Sequence, residues 1–305
     1  MIGPKIVDND KIDKTLWDNL VDLSPNSFPY WRSWYLDIVS PGWKAVIIGN
    51  YEFVLPLPYR KKGGIWYVYP PEYTQQIGVF GKETASSQIV TLMLEEAAKK
   101  FKYLEFNLNY KNKIEFLDAS LRKRRNFELS LNDSYENLYT DFHKNTKRNI
   151  KKCEKDNLVV STGNSPKEII ETFINNKAKL LKHQKSLDYK LLETLIEAGI
   201  HKSIVEIKHV HYGETYLGGA VFFKEKERKV FLFSGLSAEG RKKRAMFCLL
   251  NNVIQENAKS NVILDFEGSD DKNLGNFYHR FGATERLYLH LKINRLPRLI
   301  KWLKN

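Results

Sequence analysis

Apolar and polar residues alternate with two different periods along the first third of the chain. Apolar residues recur at helical spacing over 12–23 and over the aromatic-rich stretch 29–38, so both stretches are predicted to be helices. Short apolar runs follow, separated by the turn pairs Gly49-Asn50 and Gly63-Gly64, which are typical of antiparallel hairpins. The pattern therefore predicts strands over 45–48, 53–59 and 65–69, a helix over 84–100 and a strand over 103–108.

The same order of elements recurs in the second half of the chain. The pattern predicts strands over 204–210, 215–223 and 230–234, a helix over 241–258 and a strand over 262–266. The intervals 81–106 and 240–266 are nearly equal in length, and a predicted helix fills each of them. We therefore predict an internal duplication in which 65–108 and 230–269 share one strand, loop, helix and strand order.

The length and the charged segment 133–156 predict two domains. A chain of 305 residues is long for one compact domain, and domains commonly hold ~150 residues. The boundary between the two domains is expected near Lys144, with an N-terminal domain over 1–143 and a C-terminal domain over 144–305. The predicted fold class is α/β, each domain being a mixed, largely antiparallel sheet flanked by helices. Segment 144–155 is interpreted as a solvated connector or an anion-binding face.

Composition limits the partners and the location. Lys and Arg number 49 against 36 Asp and Glu, a formal net charge of +13, which favours acidic partners such as phosphates, nucleic acid or an anionic membrane. No apolar run is long enough to span a bilayer, and residues 1–10 lack the pattern of a secretory signal. Two distant cysteines are expected to stay reduced, so a cytoplasmic protein is predicted. The basic, amphipathic segment 295–304 is expected to form a short helix that touches a membrane surface weakly or packs on its own domain.

Segment 265–283 is the most informative part of the sequence. It reads as a strand followed by a short helix, with Phe277 and Tyr278 near the end of the helix and Gly282 after it. Residues 273–283 resemble the last helix and turn of the GCN5-related N-acetyltransferase (GNAT) fold. The strand 265–269 and the helix 142–152 are similar to those of FemAB-type enzymes. This resemblance implies tandem GNAT-like domains with a cleft for the acceptor, and chemistry in the C-terminal half.

Three residues of this segment are candidates for catalysis. Strand alternation places Asp265 and Glu267 on one face at the end of the strand, where either carboxylate could deprotonate an amine, and Glu267 is the preferred base. In the family that this segment resembles, the tyrosine at the position of Tyr278 can protonate a departing thiolate, and a phenol is a suitable acid for that step. Alternatively, the carboxylates cap the helix and form ion pairs, and Tyr278 is an ordinary half-buried aromatic residue.

The loop before the second-half helix is the candidate donor site. In acetyltransferases this loop presents backbone N–H groups and a helix N-terminus to a pyrophosphate. The candidate residues here are Ser237, Gly240, Arg241, Lys242 and Arg244. The glycine-containing cradle of acetyltransferases is absent, since Arg244 and Met246 occupy its small positions, and FemAB relatives share that absence because their donor is aminoacyl-tRNA. Acyl-CoA and aminoacyl-tRNA both remain candidate donors, and a solvated basic surface is the alternative.

The loop after the third strand is the candidate acceptor site. FemAB-like proteins carry a similar Pro-x-x-x-Gln-x-x-Gly segment, which here includes Tyr73, Thr74 and Gln75. These side chains can stack on and hydrogen-bond a sugar or a peptide, although a structural corner explains them equally well. His209 and His211 share one strand face but lack a third ligand at useful spacing, so no metal is expected.

The sequence therefore predicts an acyltransferase of the GNAT or FemAB type. It would move an acyl or aminoacyl group from a thioester or from aminoacyl-tRNA to an amine. The expected acceptors are an amine-bearing small molecule, a peptidoglycan precursor or a saccharide, with tRNA as a further partner. The alternative is a non-catalytic protein of the same fold that holds an anionic polymer or nucleic acid.

Overall fold

A computed structural model describes residues 3–115, 118–176, 187–268 and 270–297. The chain divides into two compact units, unit 1 (Met1–Arg125 with Arg286–Asn305) and unit 2 (Asn126–Glu285). The division differs from the expected boundary at 143/144 because the chain enters unit 2 earlier and returns to unit 1 at its end. Residues 126–143 supply Phe127, Leu138 and Phe142 to the core of unit 2.

Unit 1 contains the first elements of the chain. They are β1 (Lys5–Val7), α1 (Lys14–Leu23), α2 (Ser33–Val39), β2 (Lys44–Ile48), β3 (Phe53–Leu57), β4 (Tyr59–Lys62), β5 (Ile65–Val68), β6 (Phe80–Gly81), α3 (Ser87–Lys100) and β7 (Tyr103–Asn107). The predicted helix over 29–38 is divided into a 3₁₀ turn (Pro29–Trp31) and α2, since the extended Arg32 interrupts it.

The remaining elements begin with a strand that leads from unit 1 into unit 2 and end with one that leads back. They are β8 (Ser120–Ser130), α4 (Tyr135–Asp141), α5 (Lys144–Lys155), β9 (Leu158–Gly163), α6 (Lys167–Asn176), α7 (Tyr189–His201), β10 (Val205–Tyr212), β11 (Thr215–Glu225), β12 (Arg228–Leu236), α8 (Ala238–Lys242), α9 (Ala245–Asn257), β13 (Ile263–Asp265), α10 (Lys272–His279) and β14 (Thr284–Asn294).

Unit 1 is built from two strand ladders around an aromatic core. One ladder has the order β1-β2-β3-β6 and the other the order β4-β5-β7-β14. The indole of Trp31 stacks on Phe80 with ring centroids 4.5 Å apart, and the fully buried Trp17 contacts Trp43 at 4.7 Å. Large aromatic side chains bury much apolar area per residue, so they supply much of the hydrophobic stabilisation of this unit.

Unit 2 has a twisted sheet of order β8-β13-β12-β11-β10-β9 with helices on both faces. Successive side chains of a strand point to opposite faces. Accordingly, Phe222 lies in the core cluster with residues of α9, whereas Phe233 contacts Phe173 of α6 at 4.9 Å. The pairs are antiparallel except β12 with β13, which run parallel and are connected through α9.

The two units share one local topology. In unit 1 the strands β5 and β7 pair in parallel and are connected through α3, as β12 and β13 are through α9 in unit 2. In each unit the first of these parallel strands also pairs antiparallel with the strand before it. The order that the sequence predicted is therefore present twice, although the predicted helix over 241–258 is divided into α8 and α9 at Arg244, whose φ is +66°.

Among the described residues, no helix combines the length and the apolar character that crossing a bilayer requires. Most of the predicted C-terminal helix over 295–304 lies outside the described residues.

Candidate active site

The candidate site is formed by the turn between β13 and α10 of unit 2. The strand ends at Asp265, and α10 begins after Asp271, whose side chain accepts hydrogen bonds from the N–H groups of Asn273 (2.7 Å) and Leu274 (3.1 Å). Between them Glu267 has a φ of +56°. A non-glycine residue in the left-handed region is strained, and such strain persists only where the surroundings hold it.

Asp265 holds this turn in place. It is fully buried, and its Oδ1 accepts hydrogen bonds from the N–H of Glu267 (2.9 Å) and from Nδ2 of Asn126 (3.1 Å). Its Oδ2 pairs with the guanidinium of Arg228, which also reaches Oε1 of Glu128 at 2.7 Å. Burial raises the pKa of Asp265. The structure therefore gives Asp265 a supporting role behind Glu267, because a carboxylate enclosed by protein cannot reach an amine substrate.

Tyr278 lies in the core of unit 2, next to the turn that contains Glu267. The ring of Tyr278 stacks on Phe266 at 4.7 Å and contacts Phe231 and Phe127, and 6% of the residue is exposed. Burial raises the pKa of Tyr278, and the negative charge of Glu267 raises it further. Among the described residues, the Tyr278 hydroxyl has no hydrogen-bond partner. The stacked ring of Phe266 therefore places the turn that contains Glu267 next to Tyr278, and the raised pKa keeps the phenol protonated at neutral pH.

Helix α10 packs against α9, which connects the candidate catalytic groups to the candidate donor loop. Phe247 of α9 lies with its ring 5.0 Å from that of Phe277 and 5.8 Å from that of Phe281. The chain then turns at Gly282, whose φ of +81° suits a glycine. The start of α9 and the end of α10 are therefore fixed relative to each other within unit 2.

Several of the predicted donor-binding groups satisfy local hydrogen bonds. The Ser237 hydroxyl accepts from the N–H of Gly240 at 2.9 Å and so caps α8. A Cβ at Gly240 would lie 2.1 Å from the carbonyl oxygen of Leu217, so this glycine permits close packing. Arg241 and Arg244 donate to the carbonyls of Leu236 (2.8 Å) and Lys242 (3.1 Å). The exposed Lys242 remains available for an anion, whereas in the first turn of α9 the N–H of Phe247 already donates to the carbonyl of Arg244 at 2.9 Å.

The two cysteines lie where α5 meets this loop. The thiol of Cys153 is 3.7 Å and 3.5 Å from the carbonyl oxygens of Lys243 and Arg244. Burial raises the pKa of Cys153 to about 11 and that of Cys248 to about 12. Both are free thiols that remain protonated at neutral pH, so neither is an activated nucleophile.

The predicted acceptor residues belong to unit 1, where they form an internal corner. Tyr73 has a φ of +57°, and its carbonyl accepts from the hydroxyl of Tyr35. Thr74 is buried and donates to the carbonyl of Glu72 at 3.2 Å. The side-chain oxygen of Gln75 accepts from the neighbouring amide of Gln76 at 2.8 Å. Tyr73 and Gln75 are partly exposed, whereas Thr74 is closed to a ligand.

The two strand histidines form a ring cluster rather than a metal centre. His209 and His211 of β10 lie 6.3 Å apart between ring centroids, and Tyr216 contacts both at 5.4 Å. Glu168 of α6 approaches Nδ1 of His209 at 3.7 Å. Among the residues that the structure describes, no group of three His, Cys, Asp or Glu side chains could hold a metal ion.

Replacing His209 by Gln is expected to make the stability less dependent on pH. Burial and the charge of His211 lower the pKa of His209 below its usual value, although Glu168 opposes this shift. Below pH ~6.5 the unfolded chain binds the proton more readily, so stability falls as the pH decreases. Urea unfolding between pH 7 and pH 5 should show a flatter profile for His209→Gln, by at most ~1.4 kcal/mol per pH unit.

The exposed His201 at the end of α7 provides the control for this experiment. His201→Gln should retain the slope of the unaltered protein, because this side chain is exposed to solvent in the folded as well as in the unfolded chain. Equal slopes for the unaltered protein and His209→Gln would show that His209 does not contribute to the acid sensitivity.

The fold matches several solved structures along nearly the whole chain. FemX matches with a TM-score of 0.69 at 13% identity, covering 99% of this chain and 100% of its own. A tandem GNAT protein from the clavulanic acid biosynthesis pathway matches with a TM-score of 0.52 at 12% identity, covering 96% and 99%. The C-terminal domain of an Agrobacterium fabrum protein named for lysylphosphatidylglycerol synthetase matches at 0.51 and 8% identity, covering 97% and 95%.

These matches identify the fold. No protein-family model and no curated protein matches the chain, and identities of 8–13% with solved structures show a shared fold alone. The predicted α/β class is confirmed, and the chain shares its fold with FemX and with a tandem GNAT protein.

Proposed function

With a FemAB-like, tandem GNAT-type fold as the premise, we propose that this protein transfers an acyl or aminoacyl group to an amine. The reaction forms a new amide bond between the acyl carbon and the amine nitrogen. The bond from the acyl carbon to the thiolate or the ribose oxygen of the donor breaks. Glu267 accepts the proton that the amine loses, and Tyr278 supplies a proton to the departing thiolate or oxygen.

The observation that carries this proposal is the packing of the Glu267 turn against Tyr278. The ring of Phe266, the residue before Glu267, stacks on the ring of Tyr278 with centroids 4.7 Å apart, so the turn and the phenol belong to one region of unit 2. Amide formation needs a base on one side of the acyl carbon and an acid on the other. The buried Asp265 and Arg228 support this arrangement by holding the turn that presents Glu267.

The donor is proposed to bind at the start of α9. Acyl-CoA and aminoacyl-tRNA both carry phosphates, which favour a helix N-terminus. The residues closest to that helix fit a phosphate only in part, because Arg241 and Arg244 already donate to carbonyls of their own loop. The exposed Lys242 and the positive end of the α9 helix dipole supply the remaining positive potential. This site could therefore accept the phosphates of acyl-CoA or those of aminoacyl-tRNA.

Replacing Arg241 and Lys242 by Ala is expected to weaken donor binding by ~1–3 kcal/mol, since each cation contributes to holding a phosphate. Equilibrium titration with acyl-CoA and with a non-hydrolysable aminoacyl-tRNA analogue, side by side, measures the loss for each donor. Lys151→Ala and Lys155→Ala on the exposed face of α5 provide a charge-matched control. If the variant with Ala at 241 and 242 bound both donors with unchanged affinity, Arg241 and Lys242 would be ordinary surface charges without a role in donor binding.

The direct test of the function is transfer itself. The protein is incubated with radiolabelled acyl-CoA or aminoacyl-tRNA and three classes of amine: a small molecule, a peptidoglycan precursor and an amino sugar. Formation of a labelled amide with one pair identifies the donor and the acceptor. Tight, salt-sensitive binding of nucleic acid without any transfer would favour a non-catalytic binding role. In that case the lysine and arginine side chains of α5 and of the loop 241–244 would bind the nucleic acid.

A further inference from the structure

The β4–β5 hairpin of unit 1 combines positive charge with an exposed indole. Arg60, Lys61 and Lys62 are exposed, and Trp66 retains 45% of its surface. The Nζ of Lys61 lies 5.0 Å from the centroid of the Trp66 ring. The stretch 59–68 contains no acidic residue, so the charge of the hairpin is entirely positive.

The hairpin ends in a convex tip. Lys61 pairs with Trp66 across the two strands, and the turn is closed by Gly63 and Gly64, whose φ values are +56° and +79°. These angles give a two-residue turn that matches the twist of the strands. A Cβ added at either glycine would meet no heavy atom within 4 Å. The tip is therefore surrounded by open space rather than by a pocket.

The base of the hairpin is anchored in unit 1. Val68 is fully buried and pairs in parallel with Leu104 of β7, and the ring of Tyr59 packs against Phe101 at 5.7 Å. The guanidinium of Arg60 lies 4.2 Å from the centroid of the Tyr69 ring. Because the base is fixed, the tip does not need to become ordered before it contacts a partner.

We propose that this tip docks on the surface of an anionic lipid bilayer. An indole prefers the boundary between headgroups and acyl chains, where its ring is buried and its N–H stays hydrated. Lysine and arginine side chains beside it are attracted to anionic headgroups. A convex tip can enter that boundary, whereas a soluble anion needs a concave site and a single-stranded nucleic acid needs a row of stacking rings. The docking surface consists of residues of unit 1, whereas the proposed transfer site consists of residues of unit 2.

Co-sedimentation with lipid vesicles tests this proposal. The full chain is expected to bind phosphatidylcholine vesicles that contain about one third phosphatidylserine, and to bind pure phosphatidylcholine at least about tenfold more weakly. Binding should weaken as salt rises, because added ions screen the headgroup charge. Equal binding to both kinds of vesicle would overturn the proposal.

Variants of the tip assign the binding to the hairpin. Lys61→Gln with Lys62→Gln should weaken binding about tenfold or more, since each lysine near the surface contributes about fivefold. Trp66→Thr should also reduce binding, while a β-branched residue retains strand propensity. Lys151→Gln with Lys155→Gln removes the same charge from the exposed face of α5 and should bind within about twofold of the unaltered protein.

Three results would overturn the assignment, provided that circular dichroism shows each variant folded. One is vesicle binding by both tip variants that equals that of the unaltered protein. Another is a loss of vesicle binding in the α5 control variant as large as that in the tip variants. The third is full competition by monomeric short-chain phosphatidylserine or by single-stranded RNA, which would show that the tip recognises a soluble anion instead of a bilayer surface. Failure of the transfer assay would leave these outcomes unaffected.

Discussion

Replacing Arg228 by Met is expected to destabilise unit 2 by ~3–5 kcal/mol, because removing one partner of a buried ion pair leaves uncompensated charge in the interior. Arg228, Glu128 and Asp265 are 5%, 7% and 0% exposed, and the guanidinium contacts both carboxylates. Urea unfolding followed by circular dichroism measures the loss.

The pH dependence distinguishes this mechanism from simple loss of packing. Burial already raises the pKa of Asp265 while Arg228 lowers it, so the variant should raise that pKa further. A carboxyl whose folded pKa exceeds its unfolded value destabilises the fold progressively as the pH rises. The defect should therefore be smaller at pH 5 than at pH 7. A defect of the same size at both values would contradict the electrostatic explanation.

A matched arginine in unit 1 provides the control. Arg32 pairs with Asp22 at 2.6 Å, but about half of the aspartate side chain is exposed. Solvent screens such pairs, so Arg32→Met should cost no more than ~1 kcal/mol. If Arg32→Met lost as much stability as Arg228→Met, the effect at Arg228 would be explained by lost side-chain packing and not by buried charge.

Replacing Tyr278 by Phe is expected to lower turnover by ~10²-fold while leaving the fold intact, the usual scale for losing a general acid. The hydroxyl has no hydrogen-bond partner among the described residues, and the ring contacts to Phe266 and Phe231 are kept by phenylalanine. Thermal unfolding should therefore change little, and donor affinity should be preserved. Single-turnover kinetics with the identified donor and acceptor measure the chemical step.

Glu267→Gln should lower turnover to a similar degree and should shift the acidic limb of the pH profile, because an amide cannot accept the proton of the amine. Tyr139→Phe removes a phenol hydroxyl from α4 in the same unit and should leave turnover unchanged. Full activity in Tyr278→Phe would exclude the tyrosine as the acid. The fold assignment would not depend on that result.

The elements of both units were predictable wherever the hydrophobic period was clear. The strand over 103–108 and the helix over 84–100 correspond to β7 and α3 within a few residues. The predicted strands 204–210 and 215–223 likewise match β10 and β11. These segments have apolar faces that local pattern reveals without knowledge of their partners.

Strands β8 and β14 were missed, and this moved the predicted boundary. β8 has apolar residues at the alternate positions Phe127 and Leu129, but its first residues are mostly basic and exposed, so the alternating pattern was not recognised. β14 alternates clearly, with Leu291 and Ile293 buried on one face. Its partner β7 lies far away in the sequence, and no local pattern specifies such a distant pairing.

The candidate site was predictable only in part. The strand, turn and helix that carry Glu267 and Tyr278 could be found from their sequence. Their support could not, since Arg228 and Glu128 are separated by 100 positions in the chain, and only the folded sheet brings them to Asp265. An arginine within the apolar strand β12 was the one available signal, because a buried charge requires a partner.

The return of β14 to unit 1 affects the order in which a growing chain can become ordered. Unit 2 occupies one uninterrupted stretch, Asn126–Glu285, so all of its strands have left the ribosome before β14 appears. Unit 1 then still lacks the strand that pairs with β7 and the backbone bond from Leu108 to the carbonyl of Leu289. During synthesis, unit 2 can therefore be completed before unit 1, although the first strands of unit 1 come earlier in the chain.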